Sequence, residues 1–277
     1  MLDLQALEPL LRAALAEDIG PGDVTANLLV PDGARGLARI RAKAAGIVAG
    51  LPIAARVLEL AGEVTVREVG GDGRRVEPGD LVLEAEGEAA ALLRGERTAL
   101  NFLGRLSGIA SLTARFVAAV EGTGARILDT RKTTPGWRRL EKHAVRAGGG
   151  VNHRFALYDA VLVKENHLAF GVDLARALAH RPAGMEATVE AENLDEFRAA
   201  MEAGADVVML DEFTLDDVRL ARQERGARER PLLEVSGGIT LENVRAYAEA
   251  GAERISIGAL THSAPALDLS MLTEPLA

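Results

Sequence analysis

The chain from about residue 125 onward alternates short apolar runs with amphipathic segments. The apolar runs, most of them rich in valine, leucine and isoleucine, lie at residues 126–129, 160–164, 187–190, 207–211, 232–236 and 254–258. Between them, Asn193 and Thr240 stand where helix N-caps belong, and Gly204 and Gly251 stand where C-terminal caps belong. Apolar strands that alternate with helices are typical of a parallel sheet. The pattern predicts an α/β fold with a (β/α) barrel-like domain, open or incomplete because six units are visible.

The first 110 residues show a different pattern. Leucines at positions 4, 7, 11 and 15 have the spacing of one amphipathic helix, which ends at the turn-forming residues 18–23. Strand-like segments follow at 36–42, 63–69 and 80–85, and a long helix is predicted from residue 95 to about 122. We therefore expect an N-terminal α+β sandwich domain over residues 1–110, with or without the C-terminal tail, and an α/β-barrel domain over residues 111–277.

Composition then narrows the class of protein. A chain of 277 residues without cysteine fits two domains and excludes disulfides and thiolate metal sites. No apolar run approaches the roughly 20 residues of a membrane span, and the first residues lack the pattern of a signal peptide. We expect a cytoplasmic protein without a membrane partner.

Charge indicates the kind of ligand. The net charge of −9 argues against nucleic acid as a partner. Residues 126–167 nevertheless hold nine Lys or Arg against four Asp or Glu, and three of the four lysines of the chain. Because the chain otherwise uses arginine almost exclusively, the concentration of lysines in residues 126–167 favours a pocket for a small, strongly anionic ligand.

Polar residues occur where the predicted strands end. Arg131 and Lys132 follow the first strand, Lys164 ends the second, Glu190 the third and Asp211 the fourth. In a (β/α) barrel the C-terminal ends of the strands converge on the face that holds the active site. Turns do not require lysine or glutamate at such positions, so these residues indicate a site.

The last two loops have the composition of a phosphate site. Glycines let backbone N–H groups approach phosphate oxygens, although a plain turn uses the same residues. The candidate residues are Ser236, Gly237, Gly238, Ile257, Gly258 and Ala259.

Three further groups complete the candidate site. The loop from Thr130 to Lys132 offers a hydroxyl, a guanidinium and an ammonium, which suit a carboxylate or a diphosphate. His153 and Arg154 follow a glycine run and are interpreted as ligand contacts. The carboxylates at positions 190 and 211 are expected either to hold Mg²⁺ together with substrate phosphates or to pair with a basic residue of the site.

Several segments together resemble the quinolinate phosphoribosyltransferases, the carboxylating nicotinate-nucleotide pyrophosphorylases. They are EDIGPGDVT, GERTALNFLGRLSGIAS, DTRKTTPGWR, EKHAVRAGGGVNHR, LVKENH, VEAENLDE, VMLDEF, EVSGGI and SIGALTHS. The resemblance runs nearly from end to end. Thr188 stands where that family usually has a first acidic residue, so Glu190 carries the role alone.

The resemblance implies an activity and its site residues. A pentosyltransferase of this family moves phosphoribosyl from phosphoribosyl pyrophosphate (PRPP) to quinolinate with decarboxylation, giving nicotinate mononucleotide, CO₂ and pyrophosphate for NAD biosynthesis. Arg131, His153, Arg154 and Lys164 would hold the quinolinate carboxylates, and Lys132 the pyrophosphate.

The resemblance also implies how the sugar is held and how subunits assemble. Glu190 and Asp211 would engage the ribose hydroxyls directly or through Mg²⁺, and the two glycine loops would bind the 5′-phosphate. Lys132, Lys164, Glu190 and Asp211 would be the catalytic residues, with no prosthetic group. Arg97 would reach the site of a neighbouring subunit, so a homodimer or a higher homo-oligomer is expected.

Three alternatives stay open at the level of sequence. A phosphoribosyltransferase for nicotinate would need fewer cationic side chains. Lys164 at a strand end could form the Schiff base of a barrel aldolase. A non-catalytic anion-binding protein fits least well, because Glu190 and Asp211 would weaken anion affinity.

Overall fold

The computed structural model describes residues 2–276. The helices are α1 (Leu4–Ile19), α2 (Val24–Leu29), α3 (Leu51–Ala61), α4 (Ala89–Ala119), α5 (Arg138–Ala147), α6 (Glu165–Leu168), α7 (Leu174–Ala179), α8 (Leu194–Glu202), α9 (Leu215–Arg225), α10 (Val244–Ala250) and α11 (Ala259–His262). The strands are β1 (Arg35–Ala42), β2 (Gly46–Ile47), β3 (Val64–Glu68), β4 (Arg75–Val76), β5 (Leu81–Glu88), β6 (Arg126–Leu128), β7 (Val161–Val163), β8 (Ala187–Ala191), β9 (Val207–Asp211), β10 (Leu232–Ser236), β11 (Arg254–Ser256) and β12 (Leu269–Pro275). Within residues 2–276 no helix is both long and apolar enough to traverse a bilayer.

The chain divides into two compact units that do not follow a single cut in the sequence. Of the described residues, the first unit contains 2–114, 134–149 and 263–276, and the second contains 115–133 and 150–262. Helix α4 therefore begins in the first unit and ends in the second. The C-terminal tail and α5 both belong with the N-terminal part of the chain.

The first unit is built on an antiparallel sheet with the strand order β12-β1-β5-β3. Alternate positions of β1 are buried, and its fully buried Ile40 lies beside the fully buried Leu83 of β5 in the sheet register. Helix α4 lies against the C-terminal segment of this unit at Gly108. A Cβ at that position would lie 1.9 Å from the carbonyl oxygen of Pro265, so the close approach requires glycine.

The second unit is built on a parallel sheet with the strand order β6-β11-β10-β9-β8-β7. This arrangement confirms the predicted barrel-like α/β domain, and an isolated parallel bridge from Leu128 to Val151 extends the sheet beyond β6. The strands predicted at residues 207–211 and 232–236 have the observed bounds. Strand β8 is buried at every position, as expected of a parallel sheet covered on both faces.

Most of the residues predicted to cap helices in the second unit lie at the ends of the observed helices. The Asn193 side chain accepts a hydrogen bond from the Glu196 N–H at the start of α8, and Gly204 follows its end with a φ of +82°. The predicted N-cap at Thr240 is wrong, because α10 begins three residues later than that prediction requires, at Val244. The Thr240 N–H instead donates to the Asn243 side chain at 2.8 Å, which uses the intervening residues in a turn.

Candidate active site

A cavity of about 450 Å³ opens in the second unit. It is lined by residues from loops and strand ends, namely Thr130, Arg131, Lys132, His153, Arg154, Leu162, Lys164, Glu190, Met209, Asp211, Ser236, Gly237, Gly238, Ile239, Ser256, Ile257, Gly258, Ala259 and His262. Its volume lies in the range of small-molecule sites, roughly 300–1,000 Å³.

The structure brings together every site residue predicted from the sequence except Arg97. The other fourteen all line this one cavity. Arg97 lies on α4 in the first unit, where it is exposed. Within residues 2–276 its side chain has no hydrogen bond or ion pair, which leaves it available for a partner outside the described chain.

The register of the parallel sheet explains why these side chains meet. Glu190 of β8 lies beside Met209 of β9, and Asp211 of β9 lies beside Ser236 of β10. Because successive side chains of a strand point to opposite faces, residues two apart share one face. Met209 and Asp211 therefore both line the cavity.

The two acidic residues of the site have different surroundings. The Lys164 ammonium donates a hydrogen bond to Glu190, whose carboxylate is 6% exposed. Burial raises the pKa of Glu190, and the neighbouring Glu165 and Asp211 add to this, against the opposing effect of Lys164. The Asp211 carboxylate makes no hydrogen bond or ion pair within residues 2–276, so it can accept a ribose hydroxyl or a cation.

The basic side of the cavity is fixed by backbone contacts. The Lys132 N–H donates to the Thr130 hydroxyl at 3.0 Å, and the Thr261 hydroxyl donates to the Lys132 carbonyl at 2.7 Å. Burial lowers the pKa of Arg154, and the adjacent Arg131 cation lowers it further. Two guanidinium groups that line the same cavity favour the binding of an anion there.

His153 and Arg154 are linked to each other. The Arg154 N–H donates to His153 Nδ1 at 2.7 Å, and His153 Nε2 lies 3.3 Å from a carboxylate oxygen of Glu234. The Arg154 guanidinium donates from Nη1 to the Ala160 carbonyl at 3.3 Å. Its buried Nε has no hydrogen-bond partner in the described part of the chain.

The glycine loops present backbone to the cavity. Gly237 and Gly238 have φ values of +88° and +56°, in the left-handed region that favours glycine. A Cβ at Gly258 would lie 3.0 Å from Lys132 Cδ and 3.1 Å from His262 Nε2. The loop after β11 therefore lies close to two basic side chains, as a phosphate site requires.

Five residues that line the cavity were not predicted: Leu162, Met209, Ile239, Ser256 and His262. A signal for three of them exists in the strand period, because Leu162, Met209 and Ser256 each lie two residues before a predicted site residue. His262 lies one helical turn after the predicted Gly258 and could have been found from that spacing.

Comparison with known proteins supports the resemblance to the quinolinate phosphoribosyltransferases over nearly the whole chain. The family model of the quinolinate phosphoribosyl transferase C-terminal domain matches residues 109–272, and that of the N-terminal domain matches residues 23–107. A probable nicotinate-nucleotide pyrophosphorylase [carboxylating] from Bacillus subtilis is 43% identical over 271 residues, which cover 96% of this chain and 92% of the relative. The nicotinate-nucleotide pyrophosphorylase [carboxylating] of Mycobacterium leprae is 39% identical over 97% of this chain and 98% of its own length.

A solved structure extends the similarity to three dimensions. The crystal structure of NadC from Streptococcus pyogenes has a TM-score of 0.93 and 40% sequence identity, and the match covers 100% of this chain and 99% of that chain. Both domains and the fold are thus shared with one group of enzymes. The chain belongs to the quinolinate phosphoribosyltransferase family.

Proposed function

We propose that this chain transfers the phosphoribosyl group of PRPP to quinolinate and releases pyrophosphate and CO₂, with nicotinate mononucleotide as the product for NAD biosynthesis. The assignment of this reaction rests on membership of the family. The single structural observation that supports it best is one cavity with a basic side, two carboxylates and two glycine loops. These three features suit a dicarboxylate, a ribose and a phosphate.

The basic side is assigned to quinolinate, which has two adjacent carboxylates on a pyridine ring. Arg131, Arg154 and Lys164 line this side and supply cationic donors. Guanidinium groups bind carboxylates through paired hydrogen bonds. A substrate with a single carboxylate would leave part of this positive charge uncompensated, which favours quinolinate over nicotinate.

The opposite side is assigned to PRPP. The loops with Ser236 to Gly238 and Ile257 to Ala259 would bind the 5′-phosphate through backbone N–H groups. Lys132 would bind the pyrophosphate, since its ammonium has no partner within residues 2–276. Glu190 and Asp211 would accept hydrogen bonds from the ribose hydroxyls.

Mg²⁺ is included in the proposal as an ion that enters with PRPP. Among residues 2–276 no three His, Cys, Asp or Glu side chains converge on one point, so a cage made by the protein alone is absent there. Glu190 and Asp211 nevertheless fit the usual mode, in which one or two carboxylates and the substrate phosphates share the ion. When bound, Mg²⁺ would offset charge on the departing pyrophosphate.

The mechanism follows from the charges of these groups. The bond from ribose C1 to the pyrophosphate oxygen breaks with its electron pair on oxygen, and the carboxylates of Glu190 and Asp211 stabilise the cationic sugar. Lys132 stabilises the leaving group. The lone pair of the ring nitrogen then forms the bond to C1, which makes the ring a pyridinium.

Decarboxylation completes the reaction on the same ring. The bond between ring C2 and its carboxylate breaks, CO₂ leaves, and the electron pair stays on C2 beside the positive nitrogen. A proton from solvent then restores the ring carbon. Arg131, Arg154 and Lys164 hold the substrate in place during this step and no prosthetic group takes part.

The Schiff-base alternative is less well supported by the geometry. The Lys164 ammonium is bound to Glu190, whereas a lysine that forms a Schiff base must be a neutral amine. Borohydride trapping with a carbonyl substrate would give a covalent adduct only on that alternative.

The activity is tested directly with purified protein. Incubation with PRPP, Mg²⁺ and quinolinate labelled at the C2 carboxylate should release labelled CO₂ and form nicotinate mononucleotide in equal amounts. Nicotinate in place of quinolinate should give far less product. Equal turnover of both acids, or product without CO₂, would contradict the assignment.

We also propose that the active form is a homodimer or a higher homo-oligomer in which Arg97 enters the site of a neighbouring subunit. Large apolar side chains near the basic part of the second unit support an interface, because Leu157, Tyr158 and Phe170 are 72%, 72% and 88% exposed.

Complementation tests the shared site. Arg97→Ala and Lys164→Ala should each be nearly inactive, and a refolded 1:1 mixture should recover roughly a quarter of the wild-type activity, because about half of the dimers are mixed and each has one complete site. Mixed dimers without recovery would mean that Arg97 acts within its own subunit or not at all.

The biosynthetic role of the family also favours a cytoplasmic location, which is part of this proposal. Fractionation of cells with detection of the untagged protein would test it.

A further inference from the structure

A fully buried carboxylate lies next to the site, and no step of the proposed reaction uses it. Glu234 of β10 is 0% exposed and lies two residues before Ser236, on the strand face that lines the cavity. Neither of its carboxylate oxygens has a hydrogen-bond partner within residues 2–276. Burying a charge without a partner is costly, so Glu234 must interact with a nearby group.

The nearest group is the imidazole of His153, whose Nε2 lies 3.3 Å from Glu234 Oε1. The other ring nitrogen, Nδ1, accepts the hydrogen bond from the Arg154 N–H. A nitrogen that accepts a hydrogen bond carries no proton, so the proton of a neutral ring lies on Nε2. The 3.3 Å contact of Nε2 with the carboxylate is an electrostatic contact without hydrogen-bond geometry.

The same short segment is also held from its backbone side. Asp129 accepts the His153 N–H at 2.9 Å and the side-chain amide of Asn152 at 2.5 Å. His153 is thus fixed by one carboxylate at its backbone and faces a second carboxylate at its ring. The hydrogen bond from the Arg154 N–H to the ring in turn orients Arg154, which lines the cavity.

A purely structural role for Glu234 is the competing explanation. Arg254 lies beside Glu234 in the sheet register, and the Glu234 charge contributes to raising the pKa of Arg254. Arg254, however, already donates two hydrogen bonds to Glu186, at 2.7 and 2.8 Å, and these are the main cause of its raised pKa. Glu234 makes no such bond within residues 2–276, so its closest polar contact there remains His153.

We propose that Glu234 is a positioning residue for quinolinate binding, which holds the ring of His153, in its Nε2–H tautomer, in place and thereby orients Arg154. The kinetic part of this inference rests on the proposed function, whereas the tautomer does not. Loss of an orienting partner behind a ligand-binding histidine typically weakens binding about 10- to 100-fold at metal sites, and the lower end is expected for a carboxylate ligand.

The experiment combines one isosteric variant with a spectroscopic measurement. Glu234→Gln keeps the shape of the side chain and removes its charge. Its quinolinate KM should rise about tenfold while its PRPP KM stays within about twofold. Nitrogen-15 spectra of the imidazoles should show His153 as the Nε2–H tautomer in the wild type and a shifted Nε2 resonance in the variant, with the signal assigned by its absence in His153→Gln.

Glu253→Gln is the matched control. Glu253 is also an acidic residue of the second unit, but it pairs with Arg225 and receives the Leu233 N–H, at the opposite end of the strands. This variant should change neither KM nor the His153 spectrum.

The outcomes distinguish a failure of this inference from a failure of the proposed function. If wild-type protein does not turn over quinolinate, the proposed function fails, while the spectrum still tests the contact. An Nδ1–H tautomer in the wild type would overturn the positioning role even if Glu234→Gln did not fold. A folded Glu234→Gln variant whose quinolinate KM is unchanged, or whose two KM values rise equally, would overturn it as well.

Discussion

Alanine at position 237 should destabilise the second unit because a β-carbon there meets the next strand-end loop. An ideal Cβ on Gly237 would lie 2.6 Å from Glu212 Cγ and 3.0 Å from Glu212 N. Glu212 cannot withdraw easily, since its own φ is +56° and its N–H donates to the Ser236 carbonyl at 2.9 Å. The clash therefore involves backbone as well as a flexible side chain.

The expected loss has two parts that a control can separate. Placing alanine at a φ of +88° costs about 1–2 kcal/mol, and overpacking adds about 1–3 kcal/mol. Gly204 has a φ of +82°, and a Cβ there would meet no atom of residues 2–276 within 4 Å, so Gly204→Ala bears the first cost alone. Gly237→Ala should thus be about 2 kcal/mol less stable than Gly204→Ala.

Thermal unfolding of the wild type and both variants measures this difference. At roughly 2–4 °C per kcal/mol, Gly237→Ala should unfold about 4–8 °C below Gly204→Ala. Its PRPP KM should also rise, because displacement of Glu212 shifts the adjacent Asp211, whereas Gly204→Ala should keep wild-type kinetics. Equal unfolding temperatures for the two variants would refute the steric argument, and an unchanged PRPP KM would mean that the loop is a plain turn.

Three further predictions concern charged groups. Arg154→Lys should raise the quinolinate KM at least about tenfold with little change for PRPP, because an ammonium does not replace a two-donor guanidinium; equal losses in initial-rate measurements would contradict this. Since burial raises the pKa of Glu190, the acid limb of the pH profile of kcat/KM should lie above the ordinary glutamate range, and Glu190→Gln should abolish that limb. Burial alone would raise the pKa of Asp72, but the hydrogen bonds from His143 and from backbone N–H groups outweigh it and lower the pKa. The stability that Asp72 contributes is therefore present above its unfolded pKa, and it is lost as the pH falls through the folded pKa. Asp72→Asn should lower the free energy of unfolding by about 1 kcal/mol at pH 7 and by less in acid, as measured by chemical denaturation.

The barrel-like unit was predictable because its strands carry a strong local signal. Residues 207–211 and 232–236 are mostly buried, and segments in which apolar residues predominate leave little freedom in assigning their ends. Convergence of parallel strand ends then places Lys164, Glu190 and Asp211 together without knowledge of the loops.

Other features depend on long-range packing that local patterns do not contain. Helix α5 has an amphipathic sequence, yet the pattern does not say which sheet receives its apolar face. It belongs to the first unit, where Glu141 is fully buried and Trp137 stacks on Phe102 at 4.5 Å between ring centroids. Glu234 was missed for a related reason, because one acidic residue inside an apolar run gives no sign of the imidazole that faces it.

The pairing of β1 with β12 has a consequence for how the protein is made. Arg39 of β1 and Glu274 of β12 form an ion pair across a separation of 235 residues. During synthesis on the ribosome, the first unit must wait for nearly the whole chain before its sheet is complete, and until then β1 presents an open edge. Open edges pair readily with other chains. A chain that terminates after residue 262 but before residue 269 would therefore be expected to aggregate with its copies even though its entire catalytic cavity had been translated.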